Sequence, residues 1–102
     1  MIQNNVIVIN PNKDIDKIKA LASEQRIQLL NLLRMQSMNI NDIAKTCSLP
    51  QSNIATNIKI LEEAGLVNSE RVNAKRGSQK LCSIAFSEIV IKDLGKIYYF
   101  FD

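Results

Sequence analysis

Six polar side chains fall within nine residues of this chain: Gln51, Ser52, Asn53, Thr56, Asn57 and Lys59. The amides and hydroxyls among them donate and accept hydrogen bonds without carrying charge. Gln and Asn match the paired donor and acceptor on the major-groove edge of adenine, and Ser and Thr bond to bases or to phosphates. A second group is basic. Arg71, Lys75, Arg76 and Lys80 lie within ten residues that contain no acid, which leaves nine basic and ten acidic side chains elsewhere. The net charge of +3 is therefore a local excess, the form that a footprint on a phosphate backbone takes. Catalytic combinations are missing. The chain has no histidine, and Cys47 and Cys82 are its only cysteines, with no Cys-x-x-Cys spacing. Without a nucleophile–base pair or a paired-carboxylate setting, no enzyme is expected, and neither is a metal site, a cofactor or a disulfide framework. The two thiols read as small buried hydrophobes of a cytoplasmic protein.

The elements that must position these groups follow from the apolar periodicity. Val6, Ile7, Val8 and Ile9 are all β-branched and stop at Asn10-Pro11-Asn12, so a strand and then a turn are expected. From Asp14 the period changes. Ile15, Ile18, Leu21 and Ala22 fit one face of a first helix. Ser23 offers an N-cap for a second, whose stripe of Ile27, Leu29, Leu30, Leu33 and Met35 is expected to face a core. A short third helix begins at Asn39, with Asp42 in its first turn and Ile40, Ile43, Ala44 and Cys47 on its buried side. Pro50 fits only before or within the first turn of the next helix. One helix thus ends and another starts within about four residues. The fourth helix is expected over 51–64, with Ile54, Ile58 and Leu61 inward and the polar group largely outward. Gly65 then supplies a left-handed stop. Extended runs at 67–72 and 80–84 flank a polar tip at 74–78 and predict a β-hairpin. From Phe86 onward, strands are favoured over an amphipathic helix.

The fold class that results is α+β, mainly α: helices, a helix-turn-helix, then a hairpin wing, with a short N-terminal strand. The second helix of such a pair enters the major groove of B-DNA, and the wing lies beside it. Gln51, Ser52, Asn53, Thr56, Asn57 and Lys59 are the expected contacts from the helix. Lys75, Arg76 and Lys80 are those expected from the wing, where Arg suits a phosphate or a narrow minor groove.

The segment Leu21-Ala22-Ser23-Glu24-Gln25-Arg26-Ile27-Gln28-Leu29-Leu30 resembles the opening helix of ArsR-type winged-helix regulators. So does the run from Ile43-Ala44 through Leu49-Pro50-Gln51-Ser52-Asn53 to Leu61-Glu62-Glu63-Ala64-Gly65-Leu66-Val67. The resemblance extends over residues 18–84. It implies a dimeric regulator that binds double-stranded DNA, with repression the expected mode. Metal-sensing members often carry Cys-x-Cys on the helix before the recognition helix, whereas this chain has Cys47 alone there. A non-metal-sensing member is therefore expected. Where the family often has Ser, Arg and His in the recognition helix, this chain has Ala55, Thr56 and Asn57.

The whole chain, 1–102, is expected to form one winged-helix domain. Its aromatic ending, Tyr98-Tyr99-Phe100-Phe101, suggests the first domain of a longer protein and reads as core or dimer interface. No stretch is long enough to span a membrane. A homodimer is expected from the apolar surplus at both ends, and the effector is unknown. The alternative is a winged-helix module that binds protein or RNA. Salt dependence separates the two, since duplex binding weakens steeply with salt.

Overall fold

A computed structural model of the chain describes residues 5–74 and 77–92. Four helices and five strands occur among them: β1 (Val6–Ile9), α1 (Ile15–Leu21), α2 (Glu24–Met35), β2 (Met38–Asn39), α3 (Ile40–Cys47), α4 (Gln51–Glu63), β3 (Val67–Ala74), β4 (Gly77–Ile84) and β5 (Glu88–Ile91). Lys75, Arg76 and the C-terminal aromatic run lie outside the described residues.

Local signals set most of the boundaries. The Ser23 side chain accepts a hydrogen bond from the Arg26 N–H at 3.3 Å, which starts α2. Asn39 does the same for the Asp42 N–H at 2.8 Å, which starts α3. Between α3 and α4, Ser48 takes the left-handed conformation with φ 55°, and the Leu49 N–H returns to the Ala44 carbonyl at 3.0 Å. Pro50 is the residue that precedes the first turn of α4. It needs no donor there, and its carbonyl accepts from the N–H groups of Asn53 and Ile54. At the far end Gly65 has φ 77°. Gly65 N–H donates to the Glu62 carbonyl and Leu66 N–H to that of Leu61, both at 2.9 Å, the paired bonds of a Schellman stop. Lys17 of α1 adds its ammonium to the Ala64 carbonyl at 2.6 Å, where the helix dipole favours a cation.

Leu29, Leu30 and Leu33 of α2 pack with Ile43 and Ala44 of α3, Ile54, Ile58 and Leu61 of α4, and Leu66, Cys82 and Phe86 beyond them. Two expected members of the α2 stripe are exposed instead: Ile27 at 39% and Met35 at 82%. At 100° per residue the three buried leucines share one narrow arc. Ile27 falls at its edge and Met35 nearly opposite. In α1 the buried side chain is Ala20, while Ile15 stands in solvent. The short helix leans on its small residue.

Two sheets complete the fold. The wing strands β3 and β4 pair antiparallel from Val67↔Ile84 to Ala74↔Gly77, so the tip is shorter than the hydrophobic pattern implied. The two-residue β2 joins this sheet through Met38↔Cys82 and Asn39↔Leu81. It is too short to show any periodicity, and it fastens the start of α3 to the base of the wing. The other sheet is long-range: β1 runs parallel to β5, Val6↔Glu88 to Ile9↔Ile91. Ile9 is buried, while Val6 and Val8 point outward, the alternation of a half-covered strand.

Arg26 joins three helices. Its Nε donates to the Ala20 carbonyl at 2.7 Å, its Nη2 to the Lys19 carbonyl at 3.1 Å, and its Nη1 to Asn57 Oδ1 at 3.1 Å. Arg26→Ala removes all three and is expected to destabilise the domain by about 2–3 kcal/mol, read as a lower urea midpoint with an unchanged slope. In an Asn57→Ala background the same substitution should cost clearly less, because the two residues share a bond.

Candidate nucleic-acid interface

The exposed face of α4 is built from Gln51, Ser52, Ala55, Thr56, Lys59, Ile60 and Glu63. Gln51, Ser52, Thr56 and Lys59 are thus presented to solvent, as the sequence pattern implied. The Thr56 hydroxyl donates to the Ser52 carbonyl at 3.0 Å, which leaves its oxygen with accepting capacity. Gln51 Nε2 donates to Asn41 Oδ1 of α3 at 2.9 Å. Asn53 is half-buried at the edge of the face.

Asn57 corrects the sequence reading. It is 7% exposed and faces inward. Its Nδ2 donates to Gln25 Oε1 at 2.7 Å, to the Asn53 carbonyl at 3.1 Å and to Asn53 Oδ1 at 3.3 Å, while its Oδ1 accepts from Arg26. A buried amide must satisfy these groups inside the protein. The periodicity that set Asn57 apart from the aliphatic face could not reveal polar partners waiting for it on α2.

Lys80 is also committed. It forms an ion pair with Glu62 of α4, and Ser69 of β3 donates its hydroxyl to the other carboxylate oxygen, Glu62 Oε2, at 2.8 Å. Lys80, expected as a wing contact to DNA, forms a strut between wing and helix in the structure. The physical reason is register: Arg71↔Lys80 and Ser69↔Cys82 pair across the hairpin, which sets the wing base over the last turns of α4. Lys75 and Arg76 lie outside the described residues.

Between the first turns of α3 and α4 and strand β4 lies a shallow concavity of about 270 Å³, lined by Asn39, Ile40, Asn41, Gln51, Gln79 and Lys80. Asn39 Nδ2 donates to Gln79 Oε1 at 2.9 Å, bridging helix and wing. Sequence reasoning used Asn39 only as a cap and passed over Asn41 and Gln79, since single amides in polar stretches carry no pattern. The thiol of Cys82 is pushed up by burial, with Lys80 opposing the shift. Cys47 is half-buried, and both cysteines are free.

The model of the bacterial regulatory protein, arsR family, matches residues 23–69, from the cap of α2 into β3. That segment, from the start of α2 through α4, is similar to the arsR family. Solved structures agree on the fold. The homodimeric winged helix-turn-helix DNA-binding domain from Mycobacterium bovis, described as a possible ArsR-family transcriptional regulator, is similar with a TM-score of 0.66 at 23% identity, covering 88% of this chain and 75% of that one. Reduced HlyU from Vibrio cholerae gives 0.63 at 24%, covering 74% and 76%. A transcriptional regulator homologue from Pyrococcus horikoshii gives 0.58 at 28%, covering 72% and 73%. No curated protein sequence matches the chain at significance. The family model over residues 23–69 and the winged helix-turn-helix fold support DNA-binding transcription regulation.

The Glu62 strut has a pH signature. Burial raises the pKa of the Glu62 carboxyl. The hydrogen bonds from Lys80 and Ser69, with the charges of Lys80 and Lys59, outweigh burial and hold it below its ordinary value of 4.5. A carboxylate depressed by folding adds stability above its unfolded pKa and loses it as pH falls through the folded value. Urea midpoints of wild type and Glu62→Gln should therefore differ above pH 4.5 and converge below it. With the pair partly exposed, the difference at neutral pH should be under about 1 kcal/mol.

Proposed function

We propose that this regulator binds its operator as a two-fold homodimer and represses transcription by occupying promoter DNA, with α4 in the major groove and the wing tip on the backbone. The observation that carries this reading is the partition of α4. Ile54, Asn57, Ile58 and Leu61 are buried, while Gln51, Ser52, Thr56 and Lys59 share the solvent face. A helix of this diameter fits the groove, where N-terminal residues of the recognition helix reach base edges. Gln51, Ser52 and Asn53 then read bases, and Thr56 and Lys59 serve phosphates or bases. Lys75 and Arg76 supply the wing's phosphate contacts, since Lys80 is taken by Glu62. The single cysteine of α3, Cys47, supports a signal other than a thiolate-bound metal, because soft-metal sensing needs several converging ligands.

The dimer has its own support. Two concavities that share Leu21 and Ile27 lie between the α1–α2 turn and β5, with Leu30, Phe86 and Ile89 as further apolar lining beside Asn31, Arg34 and Glu88, and Val6, Val8 and Ile91 stand exposed on the adjoining sheet. Such surfaces mark interfaces, and the Mycobacterium bovis domain of this fold is homodimeric. Sedimentation at micromolar concentration should show a dimer, and Ile27→Lys should shift it to monomer. A wild type that stays monomeric throughout would remove this part.

DNA reading is tested on a duplex selected from a random pool. Gln51→Ala should lower the preference for that duplex over random sequence by about 1–3 kcal/mol. Arg76→Ala should instead weaken all duplexes alike and reduce the salt slope by roughly one. In a reporter strain with the selected site over the promoter, wild type should silence expression and Gln51→Ala release it. Weak, salt-insensitive binding with no duplex preference would favour a protein-binding module.

A further inference from the structure

Gln51 is exposed, and an exposed glutamine ordinarily samples many rotamers. Here it is held. Its Nε2 donates to Asn41 Oδ1 at 2.9 Å across the gap between α4 and α3. Both side chains line the concavity beneath the wing, together with Asn39 and Gln79, which are bonded to each other. In this contact the Nε2 end of the amide faces Asn41. With one Nε2 hydrogen given to Asn41, Gln51 retains its other Nε2 hydrogen and its Oε1 acceptor. That set complements adenine, which offers N7 as acceptor and its N6 amino group as donor. Guanine offers two acceptors, so Oε1 would meet an unpaired oxygen there.

We propose that Asn41 is a positioning residue for base recognition: it orients the Gln51 amide so that this side chain selects adenine over guanine. The inference rests on the assignment of α4 to the major groove and adds to it the base that Gln51 reads and the residue that makes it selective. Asn41 sits in the first turn of α3, whose start is fixed by the Asn39 cap and by β2 pairing with the wing. The acceptor is therefore on a rigid element, as preorganised recognition requires. In free protein the exposed hydrogen bond competes with water and contributes little. Once DNA covers the concavity, water leaves and a misoriented amide would bury an unsatisfied group.

The test uses the full chain and a duplex selected from a random pool. At each adenine of the site, affinity is measured for A·T, for G·C and for 7-deazaadenine, which lacks the N7 acceptor. The position at which Gln51→Ala loses its preference is the Gln51 position. Asn41→Ala is expected to lose about tenfold of the adenine preference at that position alone, with a matching loss of sensitivity to 7-deazaadenine. In a Gln51→Ala background it should add nothing. Asn41→Asp can only accept, so it should keep the preference while its charge weakens binding to every duplex. Urea midpoints confirm that each variant is folded. The proposal is overturned if Asn41→Ala keeps the preference that Gln51→Ala loses, if the two losses add, or if Asn41→Asp behaves as Asn41→Ala. A wild type with no duplex preference, or a Gln51→Ala protein that keeps every preference, removes the reading of α4 as well.

Discussion

The Arg26 guanidinium is the contact on which the geometry of the domain depends. It sits in the first turn of α2, where a cation is disfavoured by the dipole of its own helix. Its side chain reaches away from that helix, back to the carbonyl end of α1, where Lys19 and Ala20 present their oxygens. The remaining donor reaches Asn57 on α4. One planar, five-donor group therefore joins three helices that apolar packing alone would leave free to slide, since hydrophobic contacts have no direction. Asn57 passes the constraint on. Tied to Gln25 and Arg26 on one side and to Asn53 on the other, it fixes the rotation of α4, and with it the residues that face solvent.

The wing is positioned by a separate set of contacts. Met38 and Asn39 add a short strand to β4, Asn39 bridges to Gln79, and Glu62 holds Lys80 and Ser69. These contacts join the wing to the first turn of α3 and the last turns of α4. Helix and hairpin base are thereby tied to each other. The charge of Lys80 is neutralised in the process. Arg71, Lys75 and Arg76 are the other basic residues of the wing sequence.

Asn39 and Gln79, Asn41 and Gln51, and Asn53 and Asn57 form three hydrogen-bonded amide pairs around the helix-turn-helix. Those facing inward orient elements, and those at the rim orient one another. Amides suit this double use because each presents a donor and an acceptor in a fixed plane, so a bond at one end determines what the other end offers.

Much of the fold was legible in the sequence because it is decided locally. Ser23 and Asn39 as caps, Pro50 before α4, Gly65 after it, and the change from helical to alternating period at Val67 each act through the backbone within a few residues. The polar character of the α4 face was legible for the same reason. What the sequence could not determine rests on partners distant in the chain. Asn57 is withdrawn from the face by Gln25 and Arg26, about thirty residues earlier. Lys80 is drawn from the wing surface by Glu62, and β5 finds β1 across the whole domain. Ile27 and Met35 are apolar yet exposed because the arc of α2 that meets the core is narrower than its apolar stripe. Residue type and spacing determined which groups were able to bond. The tertiary structure decided which of them are already bonded to the protein, because a hydrogen bond's partner is set by position in space and not by separation along the chain.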